Sequence, residues 1–431
     1  MTDALPRRRS VLPKAAAFWI LAVLFLMLFF ASAAASPLYS VYQVEFHFSA
    51  TTLTSVFAVY VLVLLIALLL VGSLSDYLGR LPVIIAALVV SAAGCYVFVA
   101  AHGIGELYVG RSLQGIATAL GSGAIGAALI DLQPAGSRRA PVVTSAFSSL
   151  GLAFGALITS ALVQYGPEPT HLIWWALLVA FVLGIVTMLF MAEPGSTRPG
   201  VLASLKPRIH VPRQARGAFV GAIPVFIAGW ALGGLYLSLG PLLAAQAANS
   251  SNRLWGGLVI FLLAGTGAAA VFVCRGVDSR TAMLAGCLFL LAGMAVTFVA
   301  IATTTMAAFL GGTAIAGVGF GLAFLGAFRR TTALAAPDES AGLLAAIFIV
   351  AYLAFSIPAL IAGVATTHYG LHQTAIVYSA ALVVVAGIAA GMLVFRIGGE
   401  PARPPEAARE TVPPGPCTCP PCAQALHPAR G

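Results

Sequence analysis

The sequence predicts an all-α membrane protein of twelve transmembrane helices, arranged as two pseudo-symmetric six-helix bundles. Three observations carry this. First, 60% of the 431 residues are apolar and 8% are charged, against roughly 25% charged in a soluble domain. No water-soluble core hides that much apolar surface. Second, twelve apolar stretches of about 20 residues or more follow one another, each long enough to cross a bilayer as a helix. Third, the basic residues alternate with the turns. With the N-terminus cytoplasmic, all 22 except Arg111 and Arg253 fall in the tails, the central linker or the even-numbered turns, as the positive-inside rule requires. The net charge of +9 therefore reports topology, and no nucleic-acid partner is expected. A transmembrane barrel needs alternating strands of about 10 residues, and nothing here alternates.

The first half opens with a short basic tail, residues 1–14, suited to anionic lipid. The first span is Ala15–Ser36. Arg7-Arg8-Arg9, the apolar run and Ala31-Ser32-Ala33-Ala34-Ala35 also resemble a secretory signal. The run is longer than a signal core, and cleavage would leave eleven spans, so it is read as a helix. Pro37 removes a backbone donor near its outer end, where a bend is expected, beside Tyr39. The second span, Thr52–Ser73, carries Tyr60. A polar hinge, Gly72-Ser73-Leu74-Ser75-Asp76-Tyr77-Leu78-Gly79-Arg80, leads to the third span, Leu81–Ala101. Gly72 and Gly79 let the helix ends approach, and Asp76 and Arg80 stand four residues apart.

The fourth span, Glu106–Leu132, contains Arg111, 20 residues before Asp131 and so about 30 Å from it along a helix. An intramembrane arginine is costly and reads as functional. The plainer reading is a side chain snorkelling to the outer headgroups with Glu106 as its partner. Gly115, Gly121, Gly123 and Gly126 make this span a close-packing surface. The fifth span, Pro141–Tyr165, holds Gly151 and Gly155, again a small-residue seam. The sixth is His171–Ala192. These six spans form a first bundle over residues 15–192.

Residues 193–217 are polar, basic and dotted with proline, and read as a cytoplasmic linker. The second bundle, residues 218–396, holds spans Ala218–Leu243, Leu254–Cys274, Thr281–Ala302, Thr304–Phe328, Ser340–Ala365 and Gln373–Phe395. An offset of 202 residues carries Asp76 to Asp278, Arg111 to Thr313 and Gly115 to Gly317, a weak echo of the first half. Leu235-Tyr236-Leu237-Ser238 echoes Leu38-Tyr39-Ser40. Gly240-Pro241 loosens the outer end of the seventh span. Ala336-Pro337-Asp338-Glu339-Ser340 starts the eleventh. The tail, residues 397–431, is rich in proline and arginine and is expected to be disordered. Its Cys417, Cys419 and Cys422 have a spacing that could bind a soft metal, but with no second ligand cluster no metal is assigned.

The pattern Gly72-x-Leu74-x-Asp76-x-x-Gly79-Arg80, placed between the second and third spans, resembles the signature loop of the major facilitator superfamily. Gly110-Arg111-x-Leu113-Gln114-Gly115 resembles the fourth-helix motif of the same superfamily. The resemblance covers about residues 10–396 and is nearest to bacterial drug/proton antiporter-like members. It implies two bundles rocking about a central site that opens alternately to each side. It further implies a conformational latch built from Gly72, Asp76, Gly79, Arg80 and Asp131, and proton coupling through Arg111, Gln114 and Glu106. The fifth-helix antiporter pattern is incomplete: Gly151 and Gly155 match, while Ala156, Thr159 and Ser160 replace its proline and closing glycines. Candidate groups lining the cavity are Tyr39, Tyr60, Trp230, Tyr236, Phe324 and Tyr352.

No phosphate-binding Gly-x-x-x-x-Gly-Lys loop occurs, and no Ser/His/Asp set is visible. The expectation is a transporter rather than an enzyme, without cofactor and energised by a proton gradient. It would work as a monomer in the cytoplasmic (inner) membrane, with both termini cytoplasmic. A single intramembrane arginine and no intramembrane carboxylate favour a small, mostly apolar or amphipathic organic substrate, and export is the expected direction. Two alternatives stay open: import of a metabolite or metal chelate on the same scaffold, and a non-transporting membrane sensor.

Overall fold

A computed structural model describes residues 12–134, 136–137, 139–195, 209–336 and 339–395. Twelve long apolar helices dominate it. In the first half they are α1 (Lys14–Glu45), α2 (Ala50–Val71), α3 (Arg80–Val99), α4 (Ile104–Leu132), α5 (Arg139–Tyr165) and α6 (Leu172–Leu189). The second half holds α7 (Arg216–Ser238), α8 (Leu254–Val273), α9 (Ser279–Thr303), α10 (Met306–Thr332), α11 (Ser340–Tyr369) and α12 (Leu371–Val394). The cysteines Cys417, Cys419 and Cys422, together with Pro337, Asp338 and most of the linker, lie outside the described residues.

Two elements differ from the sequence expectation. The first helix does not stop at Ser36 but runs through Pro37 to Glu45. Proline removes one donor, and the burial of Ala33, Ala34, Ala35, Leu38, Tyr39 and Tyr42 on the same segment holds the helix together across it. The seventh span instead divides. It ends at Ser238, and a separate short helix, Gly240–Ala248, carries Pro241 in its first turn and closes on left-handed Asn249. Elsewhere helix starts follow local chemistry. Ser49 accepts from the Thr52 N–H at the start of α2, and Asp278 accepts from the Arg280 and Thr281 N–H groups at the start of α9. Those two backbone bonds, Thr281 first, hold the Asp278 carboxyl below its usual range.

The two halves repeat one packing plan. Helix α1 packs on α5, α3 on α4 and α6, and α2 on α4; correspondingly α7 packs on α11, α9 on α10 and α12, and α8 on α10. Glycines set the closest approaches. Gly151 and Gly155 of α5 lie against the backbone of α1 from Leu26 to Phe30. On α10, Gly312, Gly319 and Gly326 meet α9, while Gly317 and Gly321 meet α8. Without a hydrophobic drive between helices in lipid, this close contact is what holds them.

The halves meet through two equivalent pairs, α5 with α8 and α2 with α11. Gly257 of α8 sits against Ala156 and Ser160, and Gly363 of α11 against Thr54. Hydrogen bonds between the halves cluster at the face that carries the odd-numbered turns. The Thr51 N–H donates to Thr367 Oγ1 at 3.3 Å, the two hydroxyls are 2.9 Å apart, and the Thr51 hydroxyl also donates to the Gly363 carbonyl at 3.3 Å. Arg253 donates from its backbone to Gln164 Oε1 (2.8 Å) and from its guanidinium to Ser40 Oγ (3.1 Å).

Candidate functional site

At the even-turn face, the hinge folds as a single helical turn, Ser75–Leu78, followed by Gly79 at φ +99°. That left-handed backbone is one L side chains rarely adopt. It turns the chain so that Arg80, first residue of α3, points back at the turn. Its guanidinium donates to Asp76, to Ser75 Oγ (2.9 Å) and, through Nε, to Asp131 Oδ2 at the end of α4 (3.1 Å). Asp76 and Asp131 remain partly exposed while the Arg80 side chain is mostly covered. A side chain on Gly123 would meet the Gly72 carbonyl at 3.1 Å, so α4 passes close beneath the hinge.

Sequence reasoning missed one member of this cluster. The Glu193 carboxylate accepts the backbone N–H groups of Arg80 (2.7 Å) and Leu81 (3.0 Å). It thus caps α3, whose first turn has unpaired donors and the positive end of the dipole. The available signal was an acidic residue just past the sixth span, on the same membrane face as the hinge.

Deeper in the first half, Arg111 is 1% exposed. It donates through Nη1 to the Ser32 carbonyl (3.1 Å) and to Gln114 Oε1 (2.7 Å), while Gln114 Nε2 donates to the Ala31 carbonyl (3.2 Å). These carbonyls sit beside that of Ala33, which Pro37 leaves without its helical donor. The guanidinium carbon stands 4.0 Å from the Tyr60 ring centre and 5.9 Å from that of Tyr39, a buried cation–π arrangement. Arg111 Nε and the Tyr39 hydroxyl are buried without partners.

Glu106 is not among the partners of Arg111, so the pairing that the snorkelling alternative called for is absent. Five residues on a helix turn the two side chains well apart. Snorkelling is also overturned, since the guanidinium turns into the bundle.

In the second half, Trp230 of α7 is ringed edge-on by Tyr352 (5.1 Å), Phe355 (5.5 Å), Phe324 (5.9 Å) and Phe320 (6.4 Å). Gly229 and Gly233 flank Trp230 and leave room for Phe320 and Phe355. The Trp230 Nε1–H is buried without a partner. Phe320 and Phe355 are not among the candidate lining groups of the sequence reading. Their signal was the spacing Phe320, Phe324, Phe328 on one helix and Tyr352, Phe355 on the next, which places each set on one face.

Tyr236 does not join this wall. It is buried between α7 and α10, its hydroxyl 2.8 Å from Thr313 Oγ1 and its ring stacked on Phe309. The repeat explains this: where the first half sets Tyr39 beside Arg111, the second sets Tyr236 beside Thr313.

The two constellations meet across the interface. Phe57 of α2 lies 5.2 Å from Phe355 of antiparallel α11. One turn along each helix the same register brings Tyr60 toward Tyr352. Tyr60 therefore links the buried cation of one half to the aromatic wall of the other. Among the described residues no group of three or more His, Cys, Asp or Glu side chains is placed to hold a metal ion.

Comparison with known proteins fits this architecture. The family description "Major Facilitator Superfamily" matches residues 19–359. Over 131 residues the chain is 33% identical to the inner membrane transport protein YajR of Escherichia coli (strain K12), covering 29% of this chain and 27% of that protein. The alignment thus spans about a quarter of the relative's length. Among solved structures, the chain resembles a bacterial homologue of the human lysosomal transporter Spinster in an inward-facing, unoccupied conformation. The TM-score is 0.72 at 13% identity, over 90% of this chain and 99% of that one. The nucleoside transporter NupG gives 0.69 at 11% identity, over 87% and 99%. At such identities the likeness is one of fold.

Proposed function

This chain belongs to the Major Facilitator Superfamily, and from that premise we propose that it is a secondary transporter for a small, mostly apolar or amphipathic organic molecule. Proton-coupled export is the direction we assign, in a cytoplasmic membrane with both termini inside. The observation that carries the reading is the juxtaposition of Arg111, Gln114, Tyr39 and Tyr60 in one half with Trp230, Phe324, Tyr352 and Phe355 in the other. A site shared by two bundles that can rock is remade each time they move, which is what alternating access needs. With the odd-turn face bonded shut by Thr51, Thr367 and Arg253, the site in this state would open toward the cytoplasm.

Asp76, Arg80 and Asp131, joined by Glu193, would hold the even-turn ends of α2, α3 and α4 as one rigid piece. Arg111 would couple transport to charge. Inverted membrane vesicles carrying the protein test this. Adding a lipophilic aromatic dye should dissipate an imposed proton gradient, and Arg111→Ala should abolish the effect. If no dye moves protons and cells lacking the protein instead lose uptake of a nutrient, the direction is wrong. That second reading, import on the same scaffold, is favoured by α5, where Ala156, Thr159 and Ser160 replace the residues of the exporter pattern.

A further inference from the structure

The unusual feature of the first half is a buried cation with no counter-ion among the described residues. A buried, unpaired charge is strongly disfavoured unless it is hydrogen-bonded and matched. Arg111 is matched only by neutral groups: the Ser32 carbonyl, the Gln114 amide and the faces of Tyr60 and Tyr39. Its Nε–H is left over, and beside it the Tyr39 hydroxyl is left over too. Both can donate to the same acceptor. Tyr60 covers the guanidinium and faces the second half, where Trp230 stands within a ring of aromatic edges.

We propose that the transported molecule is an aromatic monoanion, whose carboxylate supplies the missing counter-ion of Arg111 and whose ring lies against the Trp230 wall. The inference rests on the transporter reading and adds a substrate class to it. A carboxylate beside Arg111 accepts from Nε and from the Tyr39 hydroxyl, and charge-assisted bonds of this kind are the strong ones. The chemistry also limits the class. One cation, with no second basic side chain among its partners, neutralises a single negative charge, so a dianion would be left unmatched. The wall offers ring edges and the Trp230 Nε1–H and is built for a flat apolar body. An aromatic amine would bring a second positive charge next to Arg111 and is excluded on the same electrostatic ground.

Three probes of one shape separate the possibilities: 2-naphthoate, 2-naphthamide and 2-naphthylmethylamine. Binding to the full-length protein in nanodiscs, measured by calorimetry, should favour the carboxylate over the amide by about tenfold or more, with the amine weakest. In Arg111→Gln the preference for carboxylate over amide should vanish. Because Arg111 also pins α1 to α4, a second variant guards against misfolding. Tyr39→Phe removes a single hydroxyl, and it should weaken naphthoate severalfold and naphthamide by less, because the hydroxyl bonds a carboxylate more strongly than a neutral carbonyl. Equal affinity of carboxylate and amide for the unmodified protein overturns the proposal, as does a naphthoate preference that survives in both variants. If the amide or amine is transported and the carboxylate is not, the transporter reading stands and this assignment falls. If none of the three binds, the aromatic-substrate reading falls with it.

Discussion

Arg80 shows how a few side chains can weld helix ends. Each of its pairs is partly wet, and an isolated pair of that kind contributes little. The network differs because Asp76, Asp131 and Glu193 come from three separate segments and converge on one residue and its backbone. Glu193 does two things at once: it caps α3 and ties the chain after α6 to the hinge. Replacing it with Ala should cost about 1 kcal/mol, the usual loss for a helix cap. The check is the thermal inactivation midpoint of the solubilised protein, with Glu193→Gln expected to lie between the variant and the parent. An unchanged midpoint for Glu193→Ala would show that water replaces the carboxylate freely. The pairing of Asp76 with Arg80 was legible from a spacing of four residues. Glu193 was not, because it lies 113 residues from Arg80 along the chain and no local pattern joins them. Arg111 was legible as an anomaly of type and depth. Of its two acceptors, Gln114 stands three residues on in the same motif, while the Ser32 carbonyl on α1 is one that no side-chain pattern advertises.

The helices themselves are held less by amphipathic faces than by the places where side chains are missing. In α11, Gly363 lets Thr54 of α2 nest against the backbone, and Thr51 one turn away reaches the Gly363 carbonyl. A valine at Gly363 would place its Cβ on the Thr54 side chain, and overpacking of this sort typically costs about 1–3 kcal/mol. Because this contact lies on the seam between halves, the variant should open the odd-turn face rather than unfold either bundle. A cysteine at Thr51, in a background without the native cysteines, should react several times faster with an impermeant maleimide when Gly363→Val is also present. Equal reaction rates would mean that α11 shifts enough to absorb the methyl groups. The proline positions teach a related lesson. Pro37 leaves α1 unbroken because its neighbours are buried on every side, while Pro241 coincides with a break because it opens a short helix of its own.

At the scale of the whole molecule, transport by rocking requires that the odd-turn face part. The Thr51 and Thr367 hydroxyls are 2.9 Å apart, so cysteines at both positions should form a disulfide on mild oxidation. Transport should then fall to background and return on reduction. Full activity in protein whose cross-link is verified would rule out opening at this face. The same scale marks where reading a sequence ends. By itself the sequence determined the twelve spans, their alternation, the two halves and the isolated arginine. Each of these follows from a local quantity: the length of an apolar run against the thickness of a bilayer, the side on which basic residues collect, or the cost of a charge in hydrocarbon. Only the tertiary structure decided which face of each helix looks inward. In water an apolar stripe marks the buried side, but in lipid both sides are apolar and the stripe disappears. Tyr236 and Trp230 show the consequence, since both are aromatic residues of α7. One turned into the packing with Thr313 and the other into the aromatic wall. That difference is set by the rotation of α7 against α10 and α11, through glycine contacts and ring edges that exist only once the helices have met.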